Sequence, residues 1–259
     1  ARDGALWAGG EAGQIYRIHS NGVASEKAKL NGFCAGLAFA PDGSLYVCNS
    51  GMGIVKIRHD GSHEVFATEA AGKKLTAPNF GVFDAAGNYY VTDSGVWGRE
   101  PGRIVKFNTD GTGVDLVSGL GYANGLTLSE DDRWLFLAES DTQRIYRIEL
   151  NAQEDRPKKA EIYAEKVGPV PDGLALQQDG TLLVTSYASH SILAVSRERR
   201  VTVLAHDPNG ILLGGPTNLC FDPRNPAHMY VANLNRWAIS RARLDHAGVL
   251  PVYLRRMEQ

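Results

Sequence analysis

Pro41-Asp42-Gly43-Ser44-Leu45-Tyr46-Val47 runs a tight-turn signal into a strand centred on leucine and tyrosine, and Gly53-Ile54-Val55-Lys56-Ile57 supplies a second strand after a short loop. The pair recurs. Ala5-Leu6-Trp7-Ala8, Asn88-Tyr89-Tyr90-Val91, Trp134-Leu135-Phe136-Leu137, Thr181-Leu182-Leu183-Val184 and His228-Met229-Tyr230-Val231 repeat the first element, making six copies with Ser44-Leu45-Tyr46-Val47. The second element carries isoleucines at 15, 54, 104, 145, 192 and 239, so copies are spaced by 39, 50, 41, 47 and 47 residues. A further strand precedes most copies, as in Gly36-Leu37-Ala38-Phe39, Gly125-Leu126-Thr127-Leu128 and Gly173-Leu174-Ala175-Leu176.

Repeats of this length, each a small meander with alternating apolar residues, bury both faces only by stacking radially about an axis. The expected fold is all-β, a six-bladed β-propeller forming one domain over residues 1–259. No segment sustains a helical period, and residues 154–159 read as a solvated charged loop within the fourth blade. Hydrophobic residues make up 43% of the 259 and charged residues 22%, which excludes disordered and fibrous classes. Lys and Arg number 27 against 29 Asp and Glu, for a net charge of -2, and no basic run forms a face. Neither nucleic acid nor an anionic membrane is therefore an expected partner, and a small, nearly neutral ligand fits better. No stretch approaches the roughly 18 apolar residues of a membrane span, and Ala1-Arg2-Asp3-Gly4 has no signal-peptide character. A soluble, cytoplasmic protein is expected, with periplasmic or secreted location and oligomeric state left open. Cys34, Cys48 and Cys220 lack C-x-x-C spacing and are expected to be buried free thiols.

In a propeller the first strand of each blade lines the central channel, and side chains at its entry converge. Aligning turn glycines and apolar pattern, that entry reads Ala35, Asn79, Asn124, Asp172 and Thr217 in blades two to six, at steps of 44, 45, 48 and 45 residues. Two carboxamide oxygens and one carboxylate from separate blades make a hard-oxygen site suited to calcium or magnesium, with water completing the shell. Asn or Asp before Gly also makes ordinary turns, as Ala123-Asn124-Gly125 and Pro171-Asp172-Gly173 would singly; the shared register is what favours a site. In blade one the same alignment puts the entry ahead of Ala1, so this chain is expected to lack that blade's innermost strand.

The phrases Tyr122-Ala123-Asn124-Gly125-Leu126-Thr127-Leu128-Ser129, Pro171-Asp172-Gly173-Leu174-Ala175 and Pro216-Thr217-Asn218-Leu219-Cys220-Phe221 resemble the senescence marker protein, gluconolactonase and luciferin-regenerating enzyme family, over essentially the whole chain. The resemblance implies a six-bladed propeller holding a divalent metal in its channel, often calcium, with magnesium or zinc as alternatives. It also implies a small-molecule substrate, a lactone or related ester, which is hydrolysed. Asn124 and Asp172 match the family's metal-binding positions, and Asn79 matches the third-blade Asn that binds metal or substrate. The family's first-blade Glu would fall ahead of Ala1, outside this sequence. Where some sugar-lactone members carry an Arg two residues before the third-blade Asn, this chain has Ala77, so the resemblance does not by itself point to gluconolactone.

A divalent ion held by Asn79, Asn124 and Asp172 would polarise a lactone carbonyl and stabilise the oxyanion formed as water attacks. Asp172, the only carboxylate of the column, is then a ligand, or a ligand and the general base. Loops between second and third strands open on the same face and should set substrate choice. They contain Ser140 and His190 as well as Trp97, Tyr187 and Trp237, the three expected substrate contacts, and residues 94–102 are the expected lid or pocket wall. Motifs of serine hydrolases, zinc proteases and nucleotide enzymes are absent from the sequence. Two rivals stand beside the lactonase reading. One is a non-enzymatic propeller that binds a protein or small molecule; the other is a condensing enzyme of the strictosidine synthase type, which needs an acid in the last blade, where this chain reads Thr217-Asn218.

Overall fold

The computed structural model describes residues 1–151 and 158–255 and resolves the repeats into antiparallel meanders of consecutive strands. Blade one holds β1 (Leu6–Gly9), β2 (Gln14–Ile18) and β3 (Ala24–Lys29). Blade two holds β4 (Cys34–Phe39), β5 (Leu45–Asn49), β6 (Gly53–Ile57) and β7 (His63–Ala67), followed by a hairpin of β8 (Glu69–Ala70) and β9 (Lys73–Lys74). Blade three is β10 (Pro78–Phe83), β11 (Tyr89–Asp93), β12 (Gly102–Phe107) and β13 (Gly113–Leu120). Blade four is β14 (Ala123–Leu128), β15 (Trp134–Glu139), β16 (Arg144–Glu149) and β17 (Glu161–Glu165). Blade five is β18 (Pro171–Leu176), β19 (Leu182–Ser186), β20 (Ser191–Val195) and β21 (Val201–His206), and blade six is β22 (Pro216–Asp222), β23 (Asn225–Asn233) and β24 (Ala238–Arg243). These sheets are the expected all-β, six-bladed propeller. Residues 152–157 of the expected charged loop lie outside the described residues.

Burial explains the composition of the repeats. Every residue of β5, β11 and β19 is buried, because a strand covered on both faces needs apolar residues on both. Contacts divide the chain into two compact units. The first, blades one to three with the short helix α1 (Val252–Arg255), has an aromatic core in which Phe83 stacks on Tyr89 with ring centroids 4.3 Å apart. Buried Arg103 fastens the β8–β9 hairpin there: it donates to the carbonyls of Ala70, Lys73 and Lys74 and pairs with Asp93 at 3.1 Å and Asp115 at 2.8 Å. The second unit, blades four to six, has an aliphatic core built on Leu174, Leu176, Leu182 and Val184 and on Leu183, Leu219 and Val231.

All three cysteines are free, and Cys34 and Cys48 are buried as expected. Cys220 is exposed, against expectation, because alternation along β22 gives the core face to Leu219 and Phe221 and turns Cys220 the other way. Among the described residues no helix is long and apolar enough to cross a membrane.

Candidate functional site

The expected entry residues lie inside strands. In the first strand of blades two to six the ladder to the next strand slips between Cys34 and Leu37, Pro78 and Gly81, Ala123 and Leu126, Pro171 and Leu174, and Pro216 and Asn218. Each slip is a β-bulge, which bends the strand and re-aims a side chain. Ala35, Asn79, Asn124, Asp172 and Thr217 all occupy the bulge, so the register holds while the plain-turn reading of Asn-Gly and Asp-Gly fails. The glycines answer to packing. A methyl group on Gly125 would lie 2.2 Å from the Asp172 carbonyl oxygen, and one on Gly173 would lie 2.6 Å from the Thr217 carbonyl oxygen. Only glycine admits that approach of neighbouring strands. The amide freed by the blade-five bulge is recovered: Gly173 N donates to Thr185 Oγ1 at 2.7 Å, and that hydroxyl donates to Thr217 O at 3.0 Å.

Blades four and five place two of the predicted ligands on adjoining strands. Asn124 is buried; its Nδ2 donates to Ser140 Oγ at 3.1 Å, and the Ser140 hydroxyl donates to Pro171 O at 2.6 Å. Asn124 Oδ1 is buried and accepts no hydrogen bond among the described residues. Asp172 follows Pro171 and keeps a narrow opening to solvent, yet the protein around it desolvates the carboxyl and pushes its pKa to about 8. Burial, and secondarily the charge of Asp172, raises the Tyr122 phenol, so this ring stands within electrostatic reach of that carboxyl. Tyr122, Val170 and Gly215 have φ of 62°, 55° and 62°, each two residues ahead of a bulge residue. For tyrosine, and more so for β-branched valine, that conformation is strained, and such strain gathers at functional sites.

Asn79 occupies the bulge of β10 in the first unit, half-buried. Its approach is held by Asp93, whose Oδ1 accepts from Thr76 N at 2.9 Å and Ala77 N at 2.7 Å. Trp97 is exposed on a tight turn closed by the Val96–Glu100 pairing, within the 94–102 stretch. Tyr187 donates its hydroxyl to Asn235 Oδ1 at 2.9 Å, and His190 Nδ1 accepts from Gly215 N at 2.9 Å, so both tie loops of blades five and six. Trp237 is fully exposed. Ser140, read from the sequence as a residue of an open loop, is instead buried against Asn124. Tyr122 escaped the sequence reading; its position two residues ahead of Asn124 was the only available signal.

The donors on blades four and five are a neutral amide oxygen and one carboxylate, and among the described residues no three His, Cys, Asp or Glu side chains gather. An orphaned acceptor on β14 and a desolvated acid on the adjoining β18 are each groups that a hard cation such as calcium or magnesium relieves, so the residues present fit one.

The family model described as the SMP-30/Gluconolactonase/LRE-like region matches residues 1–235. Strictosidine synthase-like 3 of Arabidopsis thaliana is 30% identical over 166 residues, covering 58% of this chain and 42% of the relative. A gluconolactonase of Zymomonas mobilis is 25% identical over 225 residues, covering 77% of this chain and 61% of the relative. The chain thus spans less than two thirds of the length of either relative. Among solved structures, regucalcin from Agrobacterium tumefaciens, described as a calcium-binding protein, superposes with a TM-score of 0.75 at 15% identity, covering 97% of this chain and 90% of that one.

Proposed function

The chain belongs to the SMP-30/gluconolactonase/LRE-like family, and from that premise we propose that it is a divalent-metal-dependent hydrolase of a lactone or related ester, with Asn124 and Asp172 holding the ion. The observation that carries this reading is the buried Asn124 Oδ1 without a hydrogen bond, one strand away from a carboxyl with a pKa of about 8. Calcium is the first candidate, supported by the oxygen donors and by the calcium-binding relative of the same fold. Asn79, on its bulge register alone, is proposed as a residue that binds metal or substrate, and Asn79→Ala tests it.

When bound, the ion supplies a Lewis acid for the ester carbonyl and for the oxyanion that follows. Asp172 accepts a proton from water as the water oxygen bonds to the carbonyl carbon. The tetrahedral adduct then collapses, the ring C–O bond breaks, and the leaving alkoxide takes that proton to give the open hydroxy acid. Trp97, Tyr187 and Trp237 are proposed as substrate contacts, each open to a single-variant KM measurement. Condensation of the strictosidine synthase type is disfavoured because the blade-six bulge carries Thr217 followed by Asn218 and no acid.

The test is acid release from a panel of five- and six-membered lactones, with calcium and with chelator. Wild type should hydrolyse at least one lactone in a calcium-dependent manner, and Asp172→Asn should lose roughly 100-fold or more in kcat. Activity indifferent to chelator, together with a melting temperature that calcium does not raise, would overturn the proposal.

A further inference from the structure

A serine hydroxyl has one proton to give. Ser140 Oγ directs it to the Pro171 carbonyl, 2.6 Å away, so toward Asn124 the oxygen presents only lone pairs. Of the two ends of the Asn124 carboxamide, only the NH2 can face it, and the 3.1 Å contact is that bond. The other end, Oδ1, is thereby turned into the space where it has no hydrogen bond. The same hydroxyl is anchored to the residue immediately before Asp172, and the Ser140 amide donates to the carbonyl of Tyr122 at 3.1 Å. Ser140 is buried on all sides. One side chain therefore reaches the bulge of blade four and the bulge of blade five.

We infer that Ser140 is a positioning residue: by accepting from Asn124 Nδ2 while donating to Pro171 O, it fixes the polarity of the Asn124 amide and holds Oδ1 as the outward donor beside Asp172. This rests on the proposed cation site, and it adds what that site requires of an amide ligand. A carboxamide free to flip would offer a cation its NH2 half of the time or more, whereas one locked by Ser140 offers oxygen always. Outer partners of metal ligands characteristically set affinity by 10–100-fold through such orientation.

The test is calcium affinity of the full chain, read by titration calorimetry, in a four-member cycle. Ser140→Ala should weaken calcium binding about tenfold or more, and Ser140→Thr, which keeps a hydroxyl, should stay within about threefold of wild type. An Asn124→Asp background has oxygen at both ends of the side chain, so amide polarity ceases to matter; there Ser140→Ala should change affinity less than about threefold. A merely structural role would weaken binding equally in both backgrounds. Equal losses in both, or wild-type affinity in Ser140→Ala, overturns the inference and leaves the cation site standing. Wild-type protein that binds no calcium overturns the cation site, and this inference with it. Should Ser140→Ala fail to fold, Ser140→Cys replaces it under the same criteria.

Discussion

Replacing Asp172 by Asn should stabilise the metal-free protein, and the gain should depend on pH. The carboxyl has an ordinary pKa of 3.8 in the unfolded chain and about 8 in the fold, by desolvation alone. Between those values the folded state keeps a proton that the unfolded chain releases, so the unfolded state binds fewer protons and stability falls as pH rises from about 4 to about 8, then levels off. At pH 7 the difference sets a ceiling of about 4 kcal/mol, and the solvent opening on Asp172 brings the expected penalty to about 2 kcal/mol. With roughly 2–4 °C per kcal/mol for a protein of this size, Asp172→Asn should melt about 4–8 °C higher than wild type at pH 7 in chelator, and at the same temperature at pH 4. Calcium should show the converse. Binding to the ionised carboxylate expels a proton below pH 8, so wild-type affinity should rise about tenfold per pH unit from pH 6 to 8, and Asp172→Asn should lack the slope. Scanning fluorimetry from pH 4 to 9 with chelator and calorimetric calcium titrations over the same range provide both readings. A melting difference independent of pH, or wild-type calcium affinity flat between pH 6 and 8, would refute the desolvated carboxyl.

Asn124→Leu removes a buried acceptor whose lack of a partner costs about 1–3 kcal/mol, so the metal-free protein should melt at or above the wild-type temperature while the calcium-induced shift disappears; a retained shift would release Asn124 from the site. Gly125→Ala drives a methyl group to 2.2 Å from the Asp172 carbonyl, an overpacking of two strands that should cost about 3 kcal/mol, measured by urea denaturation. Arg103→Leu leaves Asp93 and Asp115 without the cation that pairs them at 3.1 and 2.8 Å, which should cost about 3–5 kcal/mol and speed hydrogen exchange at Ala70 and Leu75 in and beside the β8–β9 hairpin.

The sequence carried the architecture well because its strongest signal, apolar alternation repeated at near-constant spacing, is the physical requirement of a blade. Leu45-Tyr46-Val47 and Leu182-Leu183-Val184 are apolar on both faces since both faces are covered. The bulge register was legible for the same reason: in blades two to five it stands ten residues before the first residue of the strand that follows. What the letters around Asn124 and Asp172 hid was why glycine comes next. An Asn-Gly pair is identical on paper whether it turns a chain or admits the carbonyl of a neighbouring strand, and the 2.2 Å approach at Gly125 exists only once blade five has packed beside blade four. Ser140 was misjudged in the same way. As a residue just past a strand it read as surface, and only the fold buries it between Asn124 and Pro171. The β8–β9 hairpin was missed because Glu69–Ala70 and Lys73–Lys74 have no apolar alternation; their order comes from Arg103, thirty residues or so downstream.

Blades four and five concentrate three departures from what folding alone would select. A buried amide oxygen accepts no hydrogen bond among the described residues, a carboxyl is desolvated, and a tyrosine and a valine are held left-handed two residues ahead of them. Each is destabilising by itself, and a core of this kind could accommodate apolar residues at both bulges, as Ala35 shows in blade two. A single cation would relieve the first two together, satisfying Oδ1 and replacing the water that Asp172 gave up. The backbone strain at Tyr122 and Val170 would remain. That economy is what separates a ligand site from a coincidence of polar residues, and it makes stability the sharpest readout: variants that abolish the site should gain in the metal-free protein what they lose in the response to calcium.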